Sequence, residues 1–313
     1  VALLASGCGQ DPEVVPLRIA TYTPPSTLDP HHHTETAVSA VLCNGYDGLV
    51  ARSPTMGIEP ALALSWEALD DRHMRFALRP GVRFHDGRPF TAADVVANWQ
   101  RTLHDPLCRV RHYLNGVTDI AADGELAVIV ETAALIPDLL PRLAFLFIVP
   151  AGDAELAEIT EPIGTGAFRW VGPADGGGID LAARRGWRGQ PAVGRVVCSP
   201  IADDRLRLER LRSGRVDVCL RLPDDQVAEV RSTQGFRVEL QPRLTVQMLS
   251  ICPGAATGRT REALADPRVR RALLLASDRA TLVRKVLRGN ATVAAQYVHP
   301  AVFGFDPTLE PTP

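Results

Sequence analysis

At 313 residues, with 46% apolar and 22% charged side chains, the chain exceeds one typical domain and has globular rather than disordered composition. A formal charge of −2, with basic residues spread along the chain, offers nucleic acid no basic face. No stretch approaches the roughly 20 consecutive apolar residues that a membrane-spanning helix needs.

Val1-Ala-Leu-Leu-Ala-Ser-Gly-Cys8 reads as the end of an apolar signal segment, then small residues and a cysteine. It resembles a bacterial lipobox, with Ala5 where leucine is commoner, and Cys8 would carry the lipid. Residues 1–16 are thus expected to be a signal remnant and tether, anchoring the protein to the outer face of the cell membrane. Leu17–Tyr22 alternates as a strand, and residues 34–43 are helix-like. An Asn44-Gly45 turn then precedes a short strand at Gly48–Arg52. Met74–Arg79 and Val82–His85 read as paired strands, with turns at Pro80-Gly81 and Asp86-Gly87. Thr91-Ala-Ala-Asp94 is close to a capping box, opening a helix whose apolar face carries Val95, Val96 and Trp99. Asp123-Gly124 marks another hairpin, and Leu143–Pro150 reads as a buried strand.

Beyond Pro162 a hairpin of Ala167–Val171 and Ile179–Arg184 closes around Asp175-Gly-Gly-Gly178. Val193–Ile201, a helix near 203–212 and Val216–Leu220 form a β-α-β unit, which implies parallel strands and a right-handed crossover. Phe236–Leu240 and Val246–Cys252 read as strands, followed by helices near 267–276 and 279–287. The fold class is α/β, of mixed α+β type with mixed sheets. Cys43, Cys108, Cys198, Cys219 and Cys252 show no CxxC pair and no Cys/His spacing suited to zinc. Cys198 and Cys219 lie in β-like runs separated by one helix, so their strands could be parallel neighbours, and register decides whether a disulfide fits.

Seven segments in order carry a resemblance. They are Leu28-Asp-Pro30, Asn44-Gly-Tyr-Asp-Gly-Leu-Val50, Pro60-Ala-Leu-Ala-Leu-Ser-Trp66 and the long run Phe76–Val95 containing Phe84-His-Asp-Gly87. Pro162-Ile-Gly-Thr-Gly-Ala-Phe168, Leu211-Arg-Ser-Gly-Arg-Val-Asp217 and Asp266-Pro-Arg-Val-Arg-Arg-Ala272 complete them. Together they resemble the family 5 extracellular solute-binding proteins, which bind peptides, nickel chelates or related solutes. The resemblance implies a type II periplasmic-binding-protein-like fold, two-lobed, with a subdomain inserted in the first lobe. That lobe would comprise 17–46 plus 162–240, the inserted subdomain 47–161, and the start of the second lobe 241–313. Family members continue beyond this point, so the second lobe is expected to be incomplete here. The implied partners are a small peptide ligand, the permease subunits of an ABC importer and, through the lipid, the membrane, with the protein a monomer. No cofactor and no nucleic acid are implied.

The identifying motifs are mostly structural: Trp66, Phe76 and Phe84 read as core, and Asp86-Gly87 as a hairpin turn. Gly164-Thr-Gly166 lacks the Lys-Ser/Thr of a phosphate loop and precedes a strand. Ligand candidates carried over from the family are His33, Thr34, Glu35 and Thr36, in the loop after Leu28-Asp-Pro30, and Arg111 with Tyr113 in the subdomain. Glu35 could pair with a cationic group, the threonines could donate hydrogen bonds, Arg111 could fork onto a carboxylate, and Tyr113 could form a flat wall. A solvated helix start with Thr34 as N-cap, and an ordinary surface basic run at 111–113, are the alternatives. His31-His32-His33 suggests a metal, but adjacent histidines diverge, and no metal site is assigned. Leu146 stands where nickel-chelate binders carry an anchoring Arg, which favours peptide. A degenerate family member acting as a regulatory envelope lipoprotein remains the competing reading, suggested by the altered Ala182–Gln190 segment. An enzyme has little support: there is no Gly-x-Ser-x-Gly elbow, no His-Glu-x-x-His and no Walker loop, and His85-Asp86 lacks an obvious nucleophile.

Overall fold

The alternating run Leu17-Arg-Ile-Ala-Thr21 becomes β1 (Leu17–Thr21), and α1 (Thr36–Leu42) follows, burying Val38 and Leu42. The computed structural model describes residues 15–186, 191–240 and 244–311; Cys8 lies outside them. A short hairpin of β2 (Val50–Arg52) and β3 (Ile58–Pro60) leads into β4 (Ala63–Ala68) and β5 (His73–Leu78). α2 (Ala92–His104), β6 (Val117–Ala122), β7 (Ala127–Thr132) and α3 (Leu139–Leu143) come next. Then come β8 (Phe168–Ala174), β9 (Gly178–Ala183), β10 (Arg195–Pro200), α4 (Asp204–Arg212) and β11 (Val218–Cys219). Contacts divide the chain into two compact units, one ending at Arg221 and one beginning at Leu222. The second unit carries α5 (Asp224–Ser232), α6 (Gly258–Ala265) and α7 (Pro267–Leu275). The Asp266 side chain caps α7 by accepting from the Arg268 amide at 2.8 Å, with Pro267 at the first helical position. Among the described residues no helix is long and apolar enough to cross a membrane.

Two sheets organise the first unit. The order β4-β5-β7-β6 is antiparallel throughout, and its buried residues Phe76, Val128 and Val130 share one core with Val95 and Trp99 of α2. Burying each such side chain contributes about 1.5–3 kcal/mol. α2 starts as its sequence implies: Asp94 Oδ2 accepts from the Thr91 amide at 2.8 Å and from its hydroxyl at 3.2 Å. The second sheet, β11-β1-β10-β9-β8, draws on Leu17–Thr21 and on residues 168–219 alone. β1 runs parallel to both β10 and β11, while β9 and β8 are antiparallel additions.

The second sheet corrects one expectation. α4 carries the chain across β1, so β10 and β11 flank it instead of pairing, and Ile19 faces Cys198 on one side and Val218 on the other. Cys198 and Cys219 are therefore two strand spacings apart, about 9–10 Å, beyond the roughly 7 Å that a disulfide can bridge. Both are free thiols.

Four strand assignments also change. Val82–His85 does not pair with β5, because β4 and β7 already occupy both of its edges. The segment folds back on itself instead, with Phe84 N donating to Arg88 O at 2.8 Å and Phe90 N to Val82 O at 3.0 Å. Leu143 ends α3, and the buried run that follows makes one bridge, Gly48 with Phe147. Asn98 of α2 supplies its missing partners, donating to Val149 O at 2.6 Å and accepting from Val149 N at 2.9 Å. Residues 236–240 and 246–252 form no strands: among the described residues nothing pairs with them, and Leu249 is 85% exposed.

The Gly-Thr-Gly segment acts as a backbone clasp. Gly166 N donates to Gly45 O and Phe168 N to Asn44 O, both at 2.9 Å, laying residues 164–168 on the Asn44-Gly45 turn. A Cβ at Gly164 would stand 2.1 Å from Gly45 O and 2.7 Å from the Tyr46 ring, so only glycine fits. Gly164→Ala is expected to lower the urea midpoint by the equivalent of about 3 kcal/mol at unchanged slope. Gly172→Ala, in open space, is the control and should stay within about 0.5 kcal/mol.

Candidate ligand-binding surface

The loop after β1 is held by buried charge. Asp29 is 0% exposed, and Arg101, projecting from α2, grips it with two bonds of 2.9 and 2.6 Å. The Asp29 carboxylate also accepts from the amides of His31 at 2.9 Å and Ile159 at 3.0 Å. Burial alone would raise its pKa, but the Arg101 fork and these contacts hold it below the usual carboxylate range. His31 Nδ1 accepts from Arg101 at 2.8 Å, which leaves the ring proton on Nε2, donated to Phe147 O at 2.9 Å. Burial first, and then the Arg101 charge, push the His31 pKa down to about 4. His32 pairs with Asp105 at 2.7 Å.

The three histidines thus diverge, towards Phe147, Asp105 and, for His33, a buried position where neither ring nitrogen has a hydrogen-bond partner. Burial lowers the His33 pKa. Among the described residues no group of three or more His, Cys, Asp or Glu side chains could hold a metal ion.

Of the residues singled out in this loop, Thr34, Glu35 and Thr36 are exposed and His33 is buried. Glu35, not Thr34, occupies the N-cap of α1, and its carboxylate accepts from the Ser26 hydroxyl at 2.7 Å. The loop lies beside the second predicted segment, since Arg109 N donates to His31 O at 2.9 Å. There Arg111 turns back on α2, donating to Thr102 O at 3.4 Å and Asp105 O at 3.2 Å, as a cation at a helix C-terminus does. Tyr113 is half-buried and stacks on Phe145, with ring centroids 5.0 Å apart and planes at 13°. The His112 ring lies 4.1 Å from Tyr113 on its own segment, and the Arg52 guanidinium lies 4.8 Å over Phe145. Arg52 donates to Pro141 O at 3.0 Å, while its Nε is buried without a partner.

The result is a stack of aromatic rings, Tyr113 on Phe145 with His112 tilted against it, bordered by the Arg52 guanidinium. Sequence reasoning found Tyr113 but not Phe145 or Arg52, because an apolar run such as Leu143–Phe147 does not reveal which ring turns outward. It also missed Asp29 and Arg101. A signal existed: Asp94, Asn98, Arg101 and Asp105 recur at helical spacing, a polar stripe beside the apolar face of Val95 and Trp99.

Residues 57–313 match the profile of bacterial extracellular solute-binding proteins, family 5 Middle. Protein XP55 of Streptomyces lividans is 32% identical over 256 residues, covering 78% of this chain and 45% of that protein. A glutathione-binding protein GsiB of Escherichia coli O1:K1 / APEC is 28% identical over 312 residues, covering 96% of this chain and 59% of the relative. A di/tripeptide-binding protein 2 of Pseudomonas aeruginosa UCBPP-PA14 is 28% identical over 333 residues, covering 95% and 61%. The periplasmic binding protein DppA of Helicobacter pylori, solved with the peptide STSA, superposes with a TM-score of 0.81 at 23% identity, covering 95% of this chain and 63% of that one. The chain therefore spans about half to three-fifths of the length of the curated relatives it matches. The fold is the mixed α/β fold of type II periplasmic binding proteins. Within that class, the chain belongs to the family 5 bacterial extracellular solute-binding proteins.

Proposed function

We propose that this protein is the substrate-binding component of an ABC importer, capturing oligopeptides or dipeptides outside the cytoplasmic membrane and delivering them to the permease. The observation that carries the reading is the Tyr113–Phe145–Arg52 stack, next to a loop that exposes Thr34, Glu35 and Thr36. Aromatic rings accommodate varied apolar side chains, while threonine hydroxyls and a carboxylate serve amide and ammonium groups. Relatives named for binding glutathione and di- or tripeptides support a peptide-like solute. In this reading the protein works as a monomer, tethered by a lipid on Cys8, and it binds its solute without chemically altering it. The first lobe comprises 17–46 plus 162–240, the inserted subdomain 47–161, and the second lobe starts near 241. Supporting that division, the five-stranded sheet uses only Leu17–Thr21 and residues 168–219, and the four-stranded sheet only residues 63–132.

Calorimetric titration of a panel of two- to nine-residue peptides into the protein from its native envelope tests the proposal. A ligand at a hundred times its Kd should add about 2.7 kcal/mol of stability and raise the melting temperature accordingly. Tyr113→Ala should weaken binding roughly tenfold. A panel that neither binds nor shifts melting would sink the peptide reading.

A further inference from the structure

The carboxyl ends of the parallel strands meet at a point that the peptide-facing surface above does not include. Ile201 N donates to Thr21 O at 2.8 Å and Leu220 N to Ala20 O at 3.0 Å, so the ends of β10, β1 and β11 are knit side by side. Arg207 of α4, 2% exposed, reinforces this edge. Its guanidinium donates to Ile201 O at 2.6 Å, Ala202 O at 3.0 Å and Arg221 O at 3.1 Å. One buried cation thereby clamps the chain leaving β10 to the chain leaving β11. The clamped residue, Arg221, has φ +56°, a left-handed conformation that non-glycine residues adopt at a cost of about 1 kcal/mol or more.

The strain has a consequence for the side chain. The Arg221 guanidinium lies 4.3 Å over the ring of Tyr22, the residue that leaves β1. The side chain is exposed, and among the described residues it makes no ion pair or hydrogen bond. A guanidinium packed over an aromatic ring with its N–H groups unpaired is able to receive a carboxylate through two parallel bonds. In open α/β sheets, the region outside the carboxyl ends of parallel strands is where ligands are received. An Arg stacked on a Tyr at a surface is common by itself. Here, however, a buried second arginine also holds the backbone in a conformation that most residues avoid.

We propose that Arg221, stacked on Tyr22 at the carboxyl ends of β1 and β11, anchors a carboxylate of the bound solute and so selects anionic over neutral ligands. The assignment rests on the solute-capture reading and adds to it the charge of the preferred solute.

The test titrates trialanine, its C-terminal amide and Ala-Glu-Ala into the full chain and into its Arg221→Gln and Arg221→Gly variants. The wild type should bind a carboxylate-bearing peptide roughly tenfold more tightly than the amide, and both variants should lose that preference while still binding the amide. Arg221→Gly, which relieves the left-handed strain, should melt no lower than the wild type, so lost preference cannot be blamed on unfolding. If the wild type binds peptides but the variants discriminate as it does, the anchor is refuted and solute capture stands. If no peptide binds the wild type, both are withdrawn.

Discussion

Arg101→Met should cost the protein about 3–5 kcal/mol, the largest loss expected from any single substitution outside the hydrophobic cores. Asp29 is 0% exposed, and the Arg101 guanidinium is the cation that forks onto it. Without it the carboxylate keeps the amides of His31 and Ile159 and the His32 ring at 3.5 Å, but loses the guanidinium that offsets its burial. His31 Nδ1 and Leu156 O lose a donor at the same time. The fluorescence of buried Trp99, two residues away on α2, should report the change as a lower urea midpoint. Asp29→Asn on top of Arg101→Met should recover part of the loss, giving a coupling energy of about 1–3 kcal/mol. A single variant losing under about 1 kcal/mol would mean that water reaches the pair. The network fixes residues 29–32, and with them the start of the loop carrying Thr34 and Glu35, against α2.

How much of this was legible beforehand follows from the range of each interaction. The Asp123-Gly124 hairpin, the Thr91–Asp94 helix start and the β-α-β unit around α4 depend on residues a few positions apart, and the structure contains all three. Strand neighbours were not legible, because nothing in the runs around Cys198 and Cys219 states that β1 will enter between them. Asp29 and Arg101 are 72 positions apart, and neither has a local pattern that names the other. His85 gives a similar case. As a bare His-Asp pair it offered an enzyme little support, for want of a nucleophile. In the fold, Gly164 N donates to its Nδ1 at 3.2 Å and Nε2 donates to Gly166 O at 3.0 Å, so the ring closes the glycine clasp. Leu146 was legible only through resemblance. It is 2% exposed within the main core, where a charged side chain would need a buried partner.

Acid should weaken the protein well before its carboxylates protonate, through His31. The unfolded chain takes up a proton at this residue near pH 6.5, whereas the folded chain resists down to about 4 because the ring is buried and Arg101 already occupies Nδ1. Above pH 6.5 both states are neutral, and the stabilisation is fully present. As pH falls from 6.5 to about 4, the unfolded state binds the extra proton and stability drops, by about 3 kcal/mol in total for this group. Burial lowers the pKa of His33 and His85 as well, so both act in the same direction. Urea midpoints measured between pH 7.5 and 4.5 should therefore fall steadily through a range where surface carboxylates are still ionised. His31→Gln separates this contribution, because its amide can accept from Arg101 and donate to Phe147 O without titrating. The variant should start below the wild type at pH 7.5 and converge on it by pH 4.5. Parallel curves would mean that His31 does not stay neutral when folded. The same titration links acid to the packing of the loop after β1 against α2, since the His31 ring is held by Arg101 of that helix.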